Sequence, residues 1–413
     1  MSKNRFYGCH ILYQVLIKRQ HLKVAMQSVL PVSIETQDQA WIQHMVYMSL
    51  RHYFSLTDRW QQHLHKPLKD QLVAQLLTLS LAQKFYAEVP DHAIVNEAVN
   101  CTRQLKKKWA GGLINKVLKL ALADTNYQPS TDQARFEHPD WWLATLKKDW
   151  PEHWPAIVNA NNQQPPLWLR MDSEVIPANS QPHSTLPSAW LITDKKLPIS
   201  LLTSGQATVQ DAAAQWAAHL LAPKDGELIL DACAAPGGKS THLMTLNNNF
   251  RLHILEQDSQ RMQLIKDNLK RLQLTPDRLI VGDASKPETW YQNEKYDKIL
   301  VDVPCSASGV VRRHPDIKLL RQANDMILLT QLQQQILTAC ASLLKSGGRL
   351  LYATCSVFQA ENERQIHRFL KQHSNFSEVS LIVPDSVSCR HGLQILPGQG
   401  QMDGFYYCLL EKQ

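Results

Sequence analysis

From about residue 5 to 125 apolar residues recur at helical spacing, as in Leu72, Val73, Leu76, Leu77 and Leu81, or Leu113, Ile114, Val117, Leu118 and Ala121. Such stripes predict amphipathic helices, and breaks at Pro31, Lys66-Pro67, Val89-Pro90 and Gly111-Gly112 divide the segment into an all-α bundle. Asp91, directly after Pro90, is the expected N-cap of the helix carrying Ala93, Val95 and Ala98. Between about 126 and 225 prolines interrupt every candidate element, and short β-like pieces at Leu167–Arg170 and Ala189–Ile192 predict a connector with a small module inside it. From about 226 short apolar runs (Leu228–Leu230, Leu252–Leu255, Leu279–Val281, Ile299–Val301, Leu350–Tyr352) alternate with amphipathic stretches. That alternation predicts an α/β domain with a doubly wound, mostly parallel sheet. Ligands of such sheets bind beyond the carboxyl ends of the strands.

Composition narrows the class. With 413 residues, 44% hydrophobic and 20% charged, the chain is neither fibrous nor low-complexity nor wholly disordered, and at about 150 residues per domain it holds two or three domains. No run approaches the roughly 18 to 20 apolar residues of a bilayer span, and Met1–Lys18 lacks the apolar core of a secretory signal. A cytoplasmic protein without membrane association is expected. The cysteines at 9, 101, 233, 305, 340, 355, 389 and 408 include no C-x-x-C pair, so neither a disulfide framework nor a metal site is predicted. Residues 1–140 carry 17 Lys+Arg against 11 Asp+Glu and hold most of the net +7. A polyanion such as nucleic acid fits that excess, with Lys106-Lys107-Lys108-Trp109 its sharpest local feature; a merely soluble surface is the alternative.

The chemistry gathers at the predicted strand ends. Leu228–Ser240 reads as a strand, a small-residue loop and the start of a helix, whose amides offer donors to a ligand. A Walker A loop is a near miss: Gly238-Lys239-Ser240 fit, and Lys298–Asp302 imitates a Walker B strand, but Cys233 stands at the first glycine position. The competing reading is a nucleoside cofactor. Glu256 closes the second strand, 25 residues after Asp231, where an acid bonds a ribose diol, and Asp283 follows the third strand, within reach of an adenine amino group. The fourth strand ends in Asp302-Val303-Pro304-Cys305-Ser306 and the fifth in Thr354-Cys355-Ser356. Two thiols at the ends of neighbouring strands suit C5 methylation of a pyrimidine. A thiolate adds to C6, C5 becomes nucleophilic enough to take a methyl group, and loss of the C5 proton expels the thiol. Asp302 can bond N3 and the exocyclic amine, which selects cytosine, and the second thiol can assist resolution.

Cys233–Lys239 (CAAPGGK), Asp302–Ser306 (DVPCS) and Ala353–Val357 (ATCSV), with Arg312–Asp316 and Val209–Ala212, resemble the RNA cytosine-5 methyltransferases of the Nol1/Nop2/Sun family. Asn161–Arg170 and the helical N-terminus resemble its bacterial members of the Sun or Fmu type, which act on small-subunit (16S) ribosomal RNA and carry a NusB-like RNA-binding domain. The resemblance covers nearly the whole chain. It implies an all-α NusB-like domain at 1–128, a linker and small RNA-contacting module at 129–225, and a Rossmann-like methyltransferase domain at 226–413 that uses S-adenosyl-L-methionine. It further implies that Cys355 is the C6 nucleophile and Cys305 the release-assisting thiol. Cys233, Ala234, Ala235, Pro236, Gly237, Gly238, Lys239, Glu256, Asp283 and Asp302 would contact the cofactor, with Lys239 close to the reacting groups. Glu256 stands where relatives usually have Asp, and Val303 where they have a small residue. The Trp141, Trp142, Trp150 and Trp154 cluster is expected to pack between the helical and middle domains, and Arg312-Arg313 to be a solvated turn or an RNA-backbone contact. A monomer acting on 16S ribosomal RNA follows. Transfer RNA is the nearest alternative substrate, and a non-catalytic RNA-binding or antitermination factor the alternative of another class.

Overall fold

The computed structural model describes residues 2–171, 176–194 and 196–413, which divide into two compact units: 1–163 with 311–322, and 164–310 with 323–413.

The first unit is helical, with α1 (Ser2–Leu16), α2 (Leu22–Val29), α3 (Thr36–Arg51), α4 (Tyr53–Gln61), α5 (Gln71–Ala87), α6 (Asp91–Gln104) and α7 (Gly111–Ala123). Every residue of α5 from Val73 to Gln83 is buried, as befits a helix enclosed on all sides. Around it Ile11, Leu12, Ile42, Ile114 and Leu118 form one core. Asp70 caps α5 by accepting the Leu72 and Val73 amides. Two boundaries depart from expectation. Asp91 is the first helical residue, not the cap; Pro90 occupies the cap position, and the Asp91 carboxylate pairs with Lys84 Nζ at 2.6 Å, a place where the helix dipole favours negative charge. Gly111 and Gly112 open α7, and the break lies ahead of them in a 3-10 turn at Lys108–Ala110. The helices α8 (Asp132–Phe136), α9 (Asp140–Asp149) and α10 (Trp154–Asn162) complete this run. Trp142 and Trp150 are buried, Trp141 packs on Trp142, and Trp154 meets Phe136 edge-on. These ring contacts join residues of the helical unit.

The second unit opens with a small antiparallel sheet of β1 (Leu167–Met171), β2 (Ser180–Pro182), β3 (Ala189–Ile192) and β4 (Ala207–Val209), in the order β2-β3-β1-β4. The short α11 (Ile199–Thr203) precedes β4, and α12 (Ala212–Leu221) follows it, capped by Asp211. The large sheet contains β5 (Leu228–Ala232), β6 (Arg251–Glu256), β7 (Arg278–Val281), β8 (Tyr296–Asp302), β9 (Leu344–Thr354), β10 (Phe376–Val379), β11 (Val387–Ser388), β12 (Leu393–Ile395) and β13 (Phe405–Lys412). Its order is β11-β12-β13-β9-β8-β5-β6-β7, with β10 paired to β13. From β7 to β9 the strands are parallel, and β13 is antiparallel to β9. Between strands run α13 (Gly238–Leu246), α14 (Ser259–Arg271), α15 (Ile317–Leu320, part of the helical unit), α16 (Asp325–Ser342) and α17 (Glu363–Gln372).

Successive strand side chains point to opposite faces. Ile229, Ile254, Leu300 and Leu351 enter one core, and Leu230, Leu255, Ile299 and Leu350 the other. Burial on both faces is why these strands read as continuous apolar runs. The chain builds outward from β5 to β6 and β7, then returns to the other side of β5 as β8. This reversal opens a crevice at the carboxyl ends of β5 and β8.

Candidate active site

β5 runs into the loop Cys233–Lys239, which is shaped by its backbone. Cys233 has φ +62° and Gly237 φ +92°, a region that glycine adopts without a steric penalty; a Cβ at Gly237 would also press on Ile265 Cα at 3.4 Å. The Ala234 amide donates to Leu255 O of β6 and the Gly237 amide to Ala234 O. Glu256 sits buried at the end of β6, accepting the Ala235 amide on Oε2 (3.0 Å) and the Asp258 amide on Oε1 (3.1 Å). From α14, Arg261 donates to Ala235 O and Asn268 to Pro236 O. A further support, not assigned a role from the sequence, is Arg170 of β1. Almost wholly buried, it donates to Gly238 O (2.7 Å), Gln210 Oε1 (2.7 Å) and Thr241 Oγ1 (3.1 Å). Below the loop Asp231 accepts from Ser240 Oγ at 2.5 Å, while its Oδ1 is buried and finds no hydrogen-bond partner among the described residues. Burial pushes the Asp231 carboxyl up to about 7.

The other carboxylates stand at the neighbouring strand ends. Asp283, just past β7, accepts the Ser285 amide (2.9 Å) and hydroxyl (2.7 Å). Partial burial pushes it up, but these bonds hold its carboxyl below the ordinary range. Asp302, the last residue of β8, accepts from Lys239 Nζ at 2.7 Å, and that ammonium also lies over the Phe405 ring. Burial pushes Lys239 down, yet the charge and hydrogen bond of Asp302 hold it above its ordinary value, so it is a fixed cation at neutral pH.

Cys305 and Cys355 follow the ends of the paired strands β8 and β9, where Asp302 is opposite Ala353. Their Sγ atoms are 3.4 Å apart. The two are unequal: Cys305 is buried and Cys355 half-buried. The hydrogen bond to Cys355 and the burial of the site push the Cys305 thiol well above its ordinary range, with the charge of Glu361 adding to this. Cys9, Cys101, Cys340 and Cys408 are buried elsewhere in the two units and Cys389 is half-buried. Cys233 contributes its backbone, its thiol being pushed up by burial.

Arg312 is neither a solvated turn nor an exposed contact. It is buried in the helical unit, and its carbonyl accepts from Arg51 at 2.6 Å. In the same segment Asp316 accepts the Leu22 amide (3.1 Å), and buried Lys318 donates to Arg51 O (2.7 Å) and Asn162 Oδ1 (3.1 Å). Arg313 is half-buried. Among the described residues no helix is long and apolar enough to cross a membrane, and no group of three or more His, Cys, Asp or Glu side chains could hold a metal ion.

Three family models match the chain: the 16S rRNA methyltransferase RsmB/F over residues 218–411, the NusB family over 2–122, and the RsmF/B-like ferredoxin-like domain over 138–180. Curated relatives span the full length. The ribosomal RNA small subunit methyltransferase B of Shewanella oneidensis is 38% identical over 425 residues, covering 99% of each chain. That of Vibrio vulnificus is 39% identical over 429 residues, again 99% of each. Among solved structures, PH0851 matches with a TM-score of 0.81 at 23% identity over 99% of each chain. A methyltransferase homolog from Pyrococcus horikoshii matches with a TM-score of 0.59 at 22% identity, covering 68% of this chain and 97% of its own. These two likenesses establish the shared fold.

Proposed function

The chain belongs to the RsmB/F family of 16S ribosomal RNA methyltransferases, and on that premise we propose that it methylates C5 of a cytosine in small-subunit ribosomal RNA through a covalent cysteine adduct. The carrying observation is the pair of thiols 3.4 Å apart, Cys305 and Cys355, beside the Lys239–Asp302 ion pair at the ends of adjacent strands. Helices 1–128 would bind RNA, 129–225 would add contacts, and 226–413 would carry the chemistry.

The crevice suits S-adenosyl-L-methionine. Glu256 and Asp283, at the ends of neighbouring strands, would accept from the ribose diol and the adenine amino group, Asp302 would add a further contact, and the loop Cys233–Lys239 would offer its backbone at close approach. The same three carboxylates would repel a polyphosphate, which weighs against ATP. When bound, S-adenosyl-L-methionine supplies a methyl group on a sulfonium centre. A flipped cytosine would meet Cys355, the more accessible thiol. Its thiolate would add to C6, the C5–C6 π pair would shift to give an enamine-like C4–C5 bond, and C5 would take up the methyl group as the sulfonium leaves as a neutral thioether. Cys305 keeps its proton because its pKa is raised, so it is suited to hydrogen-bond Cys355 and to assist the elimination that follows loss of the C5 proton. Asp302, paired with Lys239, would accept from the cytosine amino group, which uracil lacks.

The test incubates the full chain with methyl-labelled S-adenosyl-L-methionine and unmodified small-subunit RNA, followed by nucleoside analysis. Label in 5-methylcytidine is expected, with none for Cys355→Ala and a protein–RNA adduct on a denaturing gel for Cys305→Ala. Label only on transfer RNA would reject the substrate. Absence of label on either RNA, with no S-adenosyl-L-methionine binding by calorimetry, would favour the binding-factor alternative.

A further inference from the structure

Each reacting cysteine is followed by a serine, and both serines, Ser306 and Ser356, are completely buried. A buried hydroxyl destabilises the fold unless it finds a partner. Here both find the same one. The fully buried Glu361 carboxylate accepts the Ser306 amide (2.8 Å) and Gln333 Nε2 (2.9 Å) on Oε1, and the Ser306 hydroxyl (2.5 Å) and the Ser356 hydroxyl on Oε2. Ser308 closes the ring, with its hydroxyl 3.1 Å from that of Ser306 and 2.9 Å from that of Ser356.

This carboxylate is itself held rigidly. Its amide donates to Phe358 O, its carbonyl accepts from the buried Tyr352 hydroxyl at 2.7 Å, and the next residue, Asn362, bonds Ser356 O and Thr354 Oγ1. Gln333 of α16 spans from Glu361 to Pro304 O (2.9 Å), so the turn containing Cys305 is gripped on both sides of the cysteine. The turn leaving β8 thus docks on a side chain from the loop that leaves β9, just ahead of α17.

We infer that Glu361 is a positioning residue for the thiol pair: by bonding Ser306 and Ser356 together it fixes the distance between Cys305 and Cys355 on which the methyl-transfer cycle depends. Among the described residues its side-chain hydrogen bonds go to Ser306, Ser356 and Gln333. The inference rests on the two-cysteine reading above. In that reading addition at C6 and elimination require two sulfurs in register, and a displacement of about 1 Å at reacting groups costs on the order of 100-fold in rate.

The experiment compares the full-length wild type with Glu361→Ala and Glu361→Gln in three readouts: kcat and KM on small-subunit RNA, melting temperature, and the rate at which diamide links Cys305 to Cys355, scored by mass spectrometry of the linked peptides. For Glu361→Ala we expect kcat down about 100-fold with KM for RNA changed by less than about threefold, and cross-linking slowed about tenfold at a temperature well below melting. Glu361→Gln keeps the length and one oxygen acceptor and should recover most of both. If the alanine variant does not fold, Glu361→Asp, one methylene too short to reach both serines, carries the same comparison. Unchanged kcat, or a kcat loss with unchanged cross-linking, overturns the inference. Should wild type make no 5-methylcytidine, the two-cysteine reading fails, and the cross-linking rates alone still decide whether Glu361 sets the spacing.

Discussion

Two buried carboxylates lie beneath the two halves of the site, and they are treated in opposite ways. Glu361, under the cysteine turns, accepts two hydroxyls, a backbone amide and a side-chain amide. Asp231, under the loop Cys233–Lys239, accepts from Ser240 and leaves its other oxygen buried without a partner among the described residues. The first works as a fastener, because its bonds join the Ser306 turn, the Ser356 turn and α16. Asp231 is a desolvated acid whose carboxyl is pushed up to about 7. The two loops differ accordingly. The loop Cys233–Lys239 is held by backbone conformation and by α14, and the cysteine turns by a polar network that long-range packing assembles.

The sharpest way to break the cysteine half is to add one methyl group. Gly309 donates its amide to Cys355 O (2.9 Å) and accepts from the Gly404 amide (2.8 Å). A Cβ there would fall 2.1 Å from Gly404 O. Backbone cannot yield to this as a flexible side-chain tip can, so Gly309→Ala must part the turn from β13 or from Cys355. We expect a kcat loss of about 100-fold or more together with a lower melting temperature. A variant with wild-type kcat would mean that the thiol spacing tolerates movement of the turn.

This contrast also explains what the sequence made legible. Strand positions show as apolar runs because both faces of β5, β6, β8 and β9 are buried, and the loop Cys233–Lys239 shows because close approach demands small residues. The cysteines stand out through their places at strand ends. Glu361, in Glu361-Asn362-Glu363-Arg364, has the look of an acid at a solvated helix start, and nothing local distinguishes it from Glu363, which is only half-buried. Arg170 is hidden in the same way, as a charge within a short strand. Arg312 and Lys318 look like solvent or RNA contacts until residues about 260 positions away supply their partners. Periodicity reports which face is buried; it does not report which distant polar group completes a buried one.

The Lys239–Asp302 pair lies where the two halves meet. Lys239→Met removes a charge-assisted bond and frees the Asp302 carboxylate to turn away from the pyrimidine. Such a bond is worth about 1.5 to 3 kcal/mol, so kcat should fall by about 10- to 100-fold, with Lys239→Arg recovering part of it. Pre-steady-state adduct formation on Cys305→Ala protein would locate the loss. If Lys239→Met forms that adduct at the wild-type rate, the ion pair serves the later steps or the cofactor rather than the attack of Cys355.

The smallest effect expected is thermal and belongs to the other half. Asp231 carries a carboxyl raised to about 7 in the folded chain, against an ordinary value near 3.8. Between those values the folded state holds a proton that the unfolded state has released. The stabilisation from this group is therefore complete below about pH 4 and is lost as pH rises through about 7. Asparagine does not titrate and keeps an oxygen for Ser240 Oγ. Without ligand, Asp231→Asn should therefore gain on wild type as pH rises from 5 to 8, the gap in melting temperature widening by a few degrees, on the order of 3 kcal/mol. A gap that stays the same from pH 5 to pH 8 would show that Asp231 does not change charge in that window. The two buried carboxylates would then differ in their number of partners but not in the stress they place on the fold.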